Sequence, residues 1–364
     1  MKKILLICNE SKTVINFRKE LIVFLNNHGY EIGVIVGDDE FISDIKKLGV
    51  ETFLVPFENR SINPFKTFGL VRKFKKIIET FNPEIIFTFQ IKPNIFGSKA
   101  AAKASQVPVF NMVEGLGDPF QPKSFVERII RLFVIKLYKK SFRLSKAVFF
   151  LNKSDKKEFI DRKIVDEQKC VLIPGIGIDV SSFTPSFDFP KKHKVLYIGR
   201  LIKNKGIFEF CEIARLVRKT RNDIDFEIYG SESQVTTTDL RSYFNDNSVS
   251  YCGYSTDIKD IIKKSSILLS TSYREGFPRT ILEAMALGRP TIASNVIGNR
   301  DIVVDGVTGY LIDKDNLNSF AEKIIELVDN REMMIKLGKQ ARKLCEEQYN
   351  SDKINEMILK VISQ

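Results

Sequence analysis

Two successive series of strands alternating with helices, the absence of hairpin signals and a proline-rich break between the series predict an α/β protein of two domains, each a parallel sheet covered on both faces. In the first series, residues 3–7 are a short apolar run. Phe17, Leu21, Phe24 and Leu25 then recur at helical spacing until Gly29 stops them, and residues 31–36 resume an extended pattern, which is β-α-β. A second helix places Phe68, Val71, Phe74 and Ile77 on one face and ends at Asn82-Pro83, before the buried-strand run 85–89. Strands at 107–112, 147–151 and 170–173, separated by helical stretches, complete this half. From Pro174 to Pro190 the pattern breaks into Gly, Ser, Phe and three prolines, the composition of a linker. The second series has strands at 195–198, 226–229, 266–269, 291–293 and 310–312, with the helix 207–217 after the first. The expected organisation is therefore a Rossmann-like domain over 1–173, a linker over 174–190, a second Rossmann-like domain over 191–345, and a C-terminal helix in 346–364 that crosses back to the first domain. Domains of this kind place ligand crevices at the carboxyl ends of their strands, so a substrate is expected in a cleft between the two.

Composition narrows the chemistry. The 364 residues are 43% hydrophobic and 28% charged, as in a folded globular chain. No run approaches the roughly 20 apolar residues of a membrane span. The start meets Asn9 and Glu10 too early for a secretory signal, so a cytoplasmic location is expected. Five isolated cysteines (Cys8, Cys170, Cys211, Cys252, Cys345) suggest neither a disulfide framework nor a thiolate metal site. His28 and His193 are too far apart in sequence to suggest a His-rich site or a Ser-His-Asp triad. The acidic pairs Asp38-Asp39, Asp223-x-Asp225 and Asp313-x-Asp315 read as solvated loops, and no metal site is predicted. The formal charge of +12 lies mostly in residues 1–190, with Lys123, Arg128, Arg131, Lys136, Lys139, Lys140, Arg143 and Lys146 close together. That points to an anionic partner: a lipid surface, a diphosphate or a nucleic acid. No basic-aromatic platform or nucleic-acid module accompanies it, so nucleic acid is not expected.

Two constellations carry chemistry. Gly199-Arg200-Leu-Ile-Lys-Asn-Lys205-Gly206 runs from a strand end to a helix start. There glycines let the backbone approach a ligand, the helix N-terminus offers unpaired N–H groups, and Arg200 and Lys205 add positive charge. This describes a diphosphate site, though an ordinary basic β-α loop has the same composition. Further on, Ser272-Tyr-Arg-Glu275-Gly276-Phe277-Pro278-Arg-Thr280-Ile-Leu-Glu283 places a turn before a helix, with Glu283 expected about two turns along it. Two carboxylates so spaced can accept hydrogen bonds from different hydroxyls of one elongated ligand, or be solvated.

Together with Glu-Ala-Met-Ala-Leu-Gly-Arg-Pro (283–290) and Asp305-Gly306-Val-Thr-Gly309, these motifs resemble glycosyltransferase family 4, the retaining enzymes of the GT-B fold. The resemblance implies that Arg200 and Lys205 bind the donor diphosphate and stabilise it as a leaving group. It further implies that Glu275 and the amides of Gly276 and Phe277 hold the transferred sugar, with Pro278 and Thr280 in the same loop, and that Glu283 binds the ribose. Gly230 matches a family glycine, Gly199 is expected with the donor-binding residues, and the segment 253–258, with Tyr254 and Ile258, matches the nucleobase stretch. A nucleotide sugar, expected as a UDP-sugar, is then a co-substrate, with no cofactor. Where many members carry Gly-Gly before a helix, this chain has Ile297-Gly298-Asn299.

The N-terminal half, through Asn16-Phe17-Arg18, residues 61–65, Lys92-Pro-Asn94 with Phe96-Gly97, and Glu114-Gly-Leu-Gly117, resembles bacterial members that extend undecaprenyl-diphosphate-linked sugars: α-1,3-N-acetylgalactosaminyltransferases and related O-antigen and capsule enzymes. The resemblance implies a lipid-diphosphate-linked saccharide as acceptor, with Arg18 and Lys92 at its diphosphate and Asn94 and Glu114 at its sugar. A UDP-N-acetylhexosamine donor is expected, with GDP-mannose or another hexose donor as the alternative within the family and a non-catalytic basic membrane- or nucleic-acid-binding protein as the alternative outside it. In 123–146, Val126, Ile130, Phe133, Leu137 and Leu144 share one helical face opposite the basic residues. This describes a helix lying on an anionic membrane at the inner face of the cell membrane, or equally a core helix with a solvated basic back.

Overall fold

The computed structural model describes residues 2–57, 64–104, 107–116, 120 and 124–364, with the side chains of 64–68 excepted. Residues 61–63 of one N-terminal motif, Gly117 and Lys123 lie outside the described residues, as does the side chain of Phe65. The chain forms two compact units, one of Met1–Gly177 with Ser351–Gln364, the other of Ile178–Asn350.

The first unit holds seven parallel strands: β1 (Lys2–Ile7), β2 (Tyr30–Val36), β3 (Glu51–Leu54), β4 (Ile85–Phe89), β5 (Val109–Val113), β6 (Ala147–Phe150) and β7 (Cys170–Leu172), in the order β3-β2-β1-β4-β5-β6-β7. β4, β5 and β6 are buried throughout, which is why they read as unbroken apolar runs: helices cover both of their faces. The chain winds outward from β1 in one direction and from β4 in the other, so the crevice of this sheet opens at the carboxyl ends of β1 and β4. The helix Ser351–Ile362 belongs to this unit and packs on the helix Lys19–Asn27, and Tyr30 Oη lies 3.2 Å from Ser363 Oγ.

The second unit holds six parallel strands: β8 (His193–Ile198), β9 (Ile224–Tyr229), β10 (Ser250–Gly253), β11 (Ile267–Ser270), β12 (Thr291–Ser294) and β13 (Gly309–Ile312), in the order β10-β9-β8-β11-β12-β13. Its switch point lies between β8 and β11, which sets the loops after those two strands side by side. Ile207, Phe210 and Ile213 pack with Leu327 on one face, and Ile281, Leu282 and Met285 with Cys345 on the other. Each unit is α/β, a parallel sheet with Rossmann-like topology.

Several elements differ from the sequence reading. The first helix is two, Ser11–Phe17 and Lys19–Asn27, because Arg18 leaves helical geometry (φ −124°, ψ −9°). β3 and β10 are edge strands that the reading lacked. The stretch 178–190 is part of the second unit, since Ile178, Phe183 and Phe189 are buried in its cores. In the helix Phe125–Leu144 the expected single apolar face is divided. Val134, Tyr138 and Phe142 are buried and Ile130 and Leu137 pack beside them, while Val126, Phe133 and Leu144 are exposed.

Candidate active site

Gly199 follows β8 and Thr271 follows β11, so the switch point itself brings the two predicted constellations together. After β8, the single turn Lys203–Lys205 leads to Gly206, which caps the helix Ile207–Arg218 with φ +69°. A Cβ there would fall 1.9 Å from the Thr271 carbonyl oxygen, so only glycine lets the β8 loop close against the β11 loop. Thr271 fastens the junction by donating from Oγ1 to the Gly206 carbonyl at 2.7 Å. The Tyr273 amide donates to the Asn204 carbonyl at 3.0 Å.

On this junction the Lys205 ammonium meets the Glu275 carboxylate, with Nζ at 2.5 Å from Oε1 and 2.7 Å from Oε2. Ser272 Oγ donates to the same Oε1 at 2.6 Å. The Glu275 backbone is fixed as well, its amide donating to the Ile297 carbonyl at 3.0 Å. Gly298, at φ +90°, is indispensable to this contact, because a Cβ would lie 2.5 Å from the Glu275 carbonyl oxygen. The one glycine this chain retains before the helix Asn299–Ile302 is therefore the one that touches the Glu275 loop. Arg200 is exposed, with no ion-pair partner among the described residues, and its carbonyl accepts from Tyr197 Oη at 3.1 Å. A cation thus meets one carboxylate beside the start of the helix Ile207–Arg218, with exposed Arg200 on the same loop as Lys205, a combination suited to an anionic group joined to a polyhydroxylated one.

Gly276 and Phe277 are half-buried in the turn, buried Pro278 caps the helix Arg279–Ala286, and Thr280 lies in its first turn. Glu283 stands one turn along this short helix, not two, and pairs with Arg279, Nε to Oε1 at 3.0 Å. Phe277 packs against Tyr349 with the rings tilted by 59° and their centroids 5.8 Å apart. Gly230 ends β9 with its amide on the Gly253 carbonyl at 2.9 Å, and Gly199 likewise bonds the Tyr229 carbonyl. Tyr254 is exposed beyond β10, and Ile258 opens the helix Ile258–Lys263. An open depression of about 350 Å³ lined by Tyr273, Arg274, Ile297, Arg300 and Lys314 adjoins the Glu275 loop and contains none of the predicted donor residues. Thr271 lies outside the motifs of the sequence reading, and Ser272, Asn204 and Arg279 stand inside them with no role assigned. Two had a signal: Ser272-x-x-Glu275 has the spacing of a reciprocal cap, and Arg279-x3-Glu283 that of a helical ion pair.

In the first unit, Arg18, Lys92 and Glu114 follow β1, β4 and β5, around that sheet's own switch point. Arg18 is 2% exposed and pairs with Glu114. It donates from Nη1 to the Phe17 carbonyl at 2.9 Å and lies 4.1 Å over the Phe89 ring. It is thus a buried cation with its own partners rather than an open diphosphate ligand. Glu114 and Lys92 are half-buried. Asn94 is reassigned. It is fully buried in the π-helical turn Pro93–Gly97, where Nδ2 donates to the Met112 carbonyl at 2.8 Å and Oδ1 accepts from Thr88 Oγ1 at 2.6 Å, so its amide serves the core and not a sugar. Gln90 has φ +71° and accepts the Asn9 amide on Oε1 at 2.9 Å, a strained position that no sequence pattern announces.

Comparison with known proteins accounts for both halves. The family model for glycosyl transferases group 1 matches residues 182–344, and that for glycosyl transferase 4-like proteins matches residues 3–152. The chain is 28% identical to N,N'-diacetylbacillosaminyl-diphospho-undecaprenol alpha-1,3-N-acetylgalactosaminyltransferase of Campylobacter jejuni, over 96% of this chain and 95% of that protein. It is 26% identical to UDP-Gal:alpha-D-GlcNAc-diphosphoundecaprenol alpha-1,3-galactosyltransferase of Escherichia coli, over 93% and 91%. Among solved structures, Anabaena HepE in complex with UDP and glucose superposes with a TM-score of 0.82 at 17% identity over the whole of both chains, and a Thermosynechococcus elongatus sucrose-phosphate synthase with 0.84 at 17%, over 100% and 99%. With a family model matched in each half, full-length glycosyltransferase relatives and this double Rossmann-like architecture, the chain belongs to the family-4 glycosyltransferases and has the GT-B fold.

Proposed function

We propose that this enzyme moves an N-acetylhexosamine from a UDP-sugar, with retention at the anomeric carbon, to an undecaprenyl-diphosphate-linked saccharide in the assembly of a bacterial surface glycan. The observation that carries the reading is the Lys205–Glu275 pair at the β8/β11 switch point, with exposed Arg200 on the same loop as Lys205. Breaking the anomeric C–O bond leaves positive charge on the sugar and negative charge on the departing diphosphate. Fixed cations and amides aimed at that diphosphate lower the barrier most. Lys205, Arg200 and the amides opening the helix Ile207–Arg218 supply this without a metal or cofactor. Glu275, with the Gly276 and Phe277 amides, addresses the sugar hydroxyls, Glu283 the ribose, and the Gly230 and Tyr254–Ile258 region the base. The named lipid-diphosphate substrates of the relatives support an acceptor of that class, for which Lys92 and Glu114 are the candidate contacts.

Such an acceptor resides in a bilayer, and the helix Phe125–Leu144 supports docking there. Phe125, Val126, Ile129, Leu132 and Phe133 are exposed along it, Phe125 at 75%, with Arg128 and Lys136 beside them. Among the described residues no helix is long and apolar enough to cross a membrane, so the proposed association is peripheral, on the inner face.

Transfer from radiolabelled UDP-N-acetylhexosamines to a short-chain polyprenyl-diphosphate saccharide tests the reading. Wild-type protein is expected to form product, and Lys205→Ala and Arg200→Ala to lose about 10²-fold or more in kcat while remaining folded. Product from a GDP-hexose in place of the UDP-sugar would move the donor to the alternative class. Near-normal turnover in both variants would remove the diphosphate assignment.

A further inference from the structure

We propose that Ser272 is a positioning residue for the transfer reaction, acting through Glu275 to hold one carboxylate oxygen while the other meets the sugar. The proposal deepens the reading of the donor loop and rests on it. Ser272 is 3% exposed, so it is shielded from any ligand in solution. Its Oγ donates to Glu275 Oε1 at 2.6 Å, a hydrogen bond to a charged acceptor. The other restraints on that carboxylate come from Lys205, which reaches both oxygens. Lys205 has two tasks that compete: in the empty protein it neutralises Glu275, and in the donor complex it faces a diphosphate of greater charge. When the ammonium turns to the phosphates, Glu275 loses its counter-ion and keeps only the bond to Ser272 and the backbone bond to Ile297.

The geometry of that remaining bond decides what Glu275 offers. Ser272 occupies Oε1, leaving Oε2 as the acceptor exposed by the departure of Lys205. The neighbouring hydroxyl cannot substitute, because Thr271 spends its own on the Gly206 carbonyl at 2.7 Å. Without the serine hydroxyl, the carboxylate is free to rotate about its side-chain bonds at the moment it is needed, and a misplaced contact in the transition state lowers kcat more than binding.

The test compares Ser272→Ala, Ser272→Cys and Ser272→Thr for kcat, donor KM and UDP affinity by titration calorimetry. Ala and Cys are each expected to lose about 10-fold or more in kcat with UDP affinity held within about 2-fold, because the lost bond is to a charged group that does not bind the nucleotide. Thr, which keeps the hydroxyl, is expected to recover most of the rate. Cys retains the volume of serine and gives the same answer should Ala fail to fold. Wild-type kcat in Ala and Cys, or a fall in UDP affinity as large as the fall in kcat, would overturn the assignment. A wild-type enzyme silent on every UDP-sugar would count against the proposed donor and not against Ser272. The crystal structure of Ser272→Cys then decides: a Glu275 carboxylate displaced from its wild-type place supports the proposal, and an unmoved one refutes it.

Discussion

Arg18 and Lys205 are both cations beside a glutamate, yet burial gives them different uses. Arg18 is 2% exposed and also touches the Phe17 carbonyl and the Phe89 ring, so drawing it towards a ligand would strand Glu114 in a half-buried setting. Lys205 is 33% exposed and can exchange Glu275 for a phosphate at far lower cost. Nothing in the sequence separates the two, since exposure is a property of the assembled sheet. The same holds for Asn94, whose motif was visible while its enclosure by Thr88 and Met112 was not. A titrating residue offers a check at this scale. His193, at the start of β8, is half-buried with Nδ1 3.0 Å from Ser266 Oγ. Its pKa is lowered, chiefly because burial disfavours the charged ring, with Arg221 and Arg331 adding to this and Asp223 and Asp329 opposing it. A histidine whose folded pKa lies below the unfolded one binds fewer protons when folded. Its contribution is therefore complete above the unfolded value of about 6.5 and is lost as pH falls from there through the folded pKa. Thermal unfolding at about pH 7.5 and about pH 5.5 should show a larger loss for wild-type protein than for His193→Gln, and an equal or smaller loss would contradict the assigned direction.

Elements were legible where one periodicity had one cause. β4 and β5 are buried on both faces and announced themselves as apolar runs, and the helix Ile207–Arg218 has one apolar stripe and one place to put it. The helix Phe125–Leu144 carries more apolar residues than its core contact uses, so a 3.6-residue period alone could not tell the inward stripe (Val134, Tyr138, Phe142) from the outward one (Phe125, Ile129, Leu132, Phe133). Its start is well defined, by a Ser124–Glu127 capping box. An outward apolar stripe costs a soluble protein stability against aggregation unless something covers it, and the adjacent Arg128 and Lys136 favour an anionic bilayer. Sedimentation with phosphatidylglycerol vesicles is expected to carry wild-type protein down. The triple replacement Phe125→Ser, Ile129→Ser, Leu132→Ser should weaken this by about 10-fold or more without lowering the unfolding temperature, since three exposed side chains leave the core intact. Equal sedimentation of the two proteins would remove this face from the docking reading.

At the scale of the molecule, the sequence revealed two strand-helix series because a parallel sheet repeats the same signal at every turn of the chain. It did not reveal β3 and β10, four-residue edge strands with no fully buried residue, nor that residues 178–190 supply core phenylalanines to the second unit. What strand order adds to the sequence is position. In the unit of Ile178–Asn350 the crevice must lie after β8 and β11, where Arg200, Lys205, Glu275 and Ser272 gather. Placing the nucleotide there makes a prediction for the whole chain, because a ligand that binds only the folded state stabilises it in proportion to the logarithm of its saturation. UDP at about 100 times its dissociation constant adds about 2.7 kcal/mol to the unit that holds it. Hydrogen exchange with and without UDP should therefore show slowed exchange concentrated in residues 199–210 and 271–286, with β1, β4 and β5 little changed, and GDP should have a smaller effect at the same concentration. Slowing confined to the segments after β1 and β4 would move the nucleotide to the other sheet, and a GDP effect exceeding that of UDP would move the donor to the guanosine class while leaving the site where the β8/β11 switch point puts it.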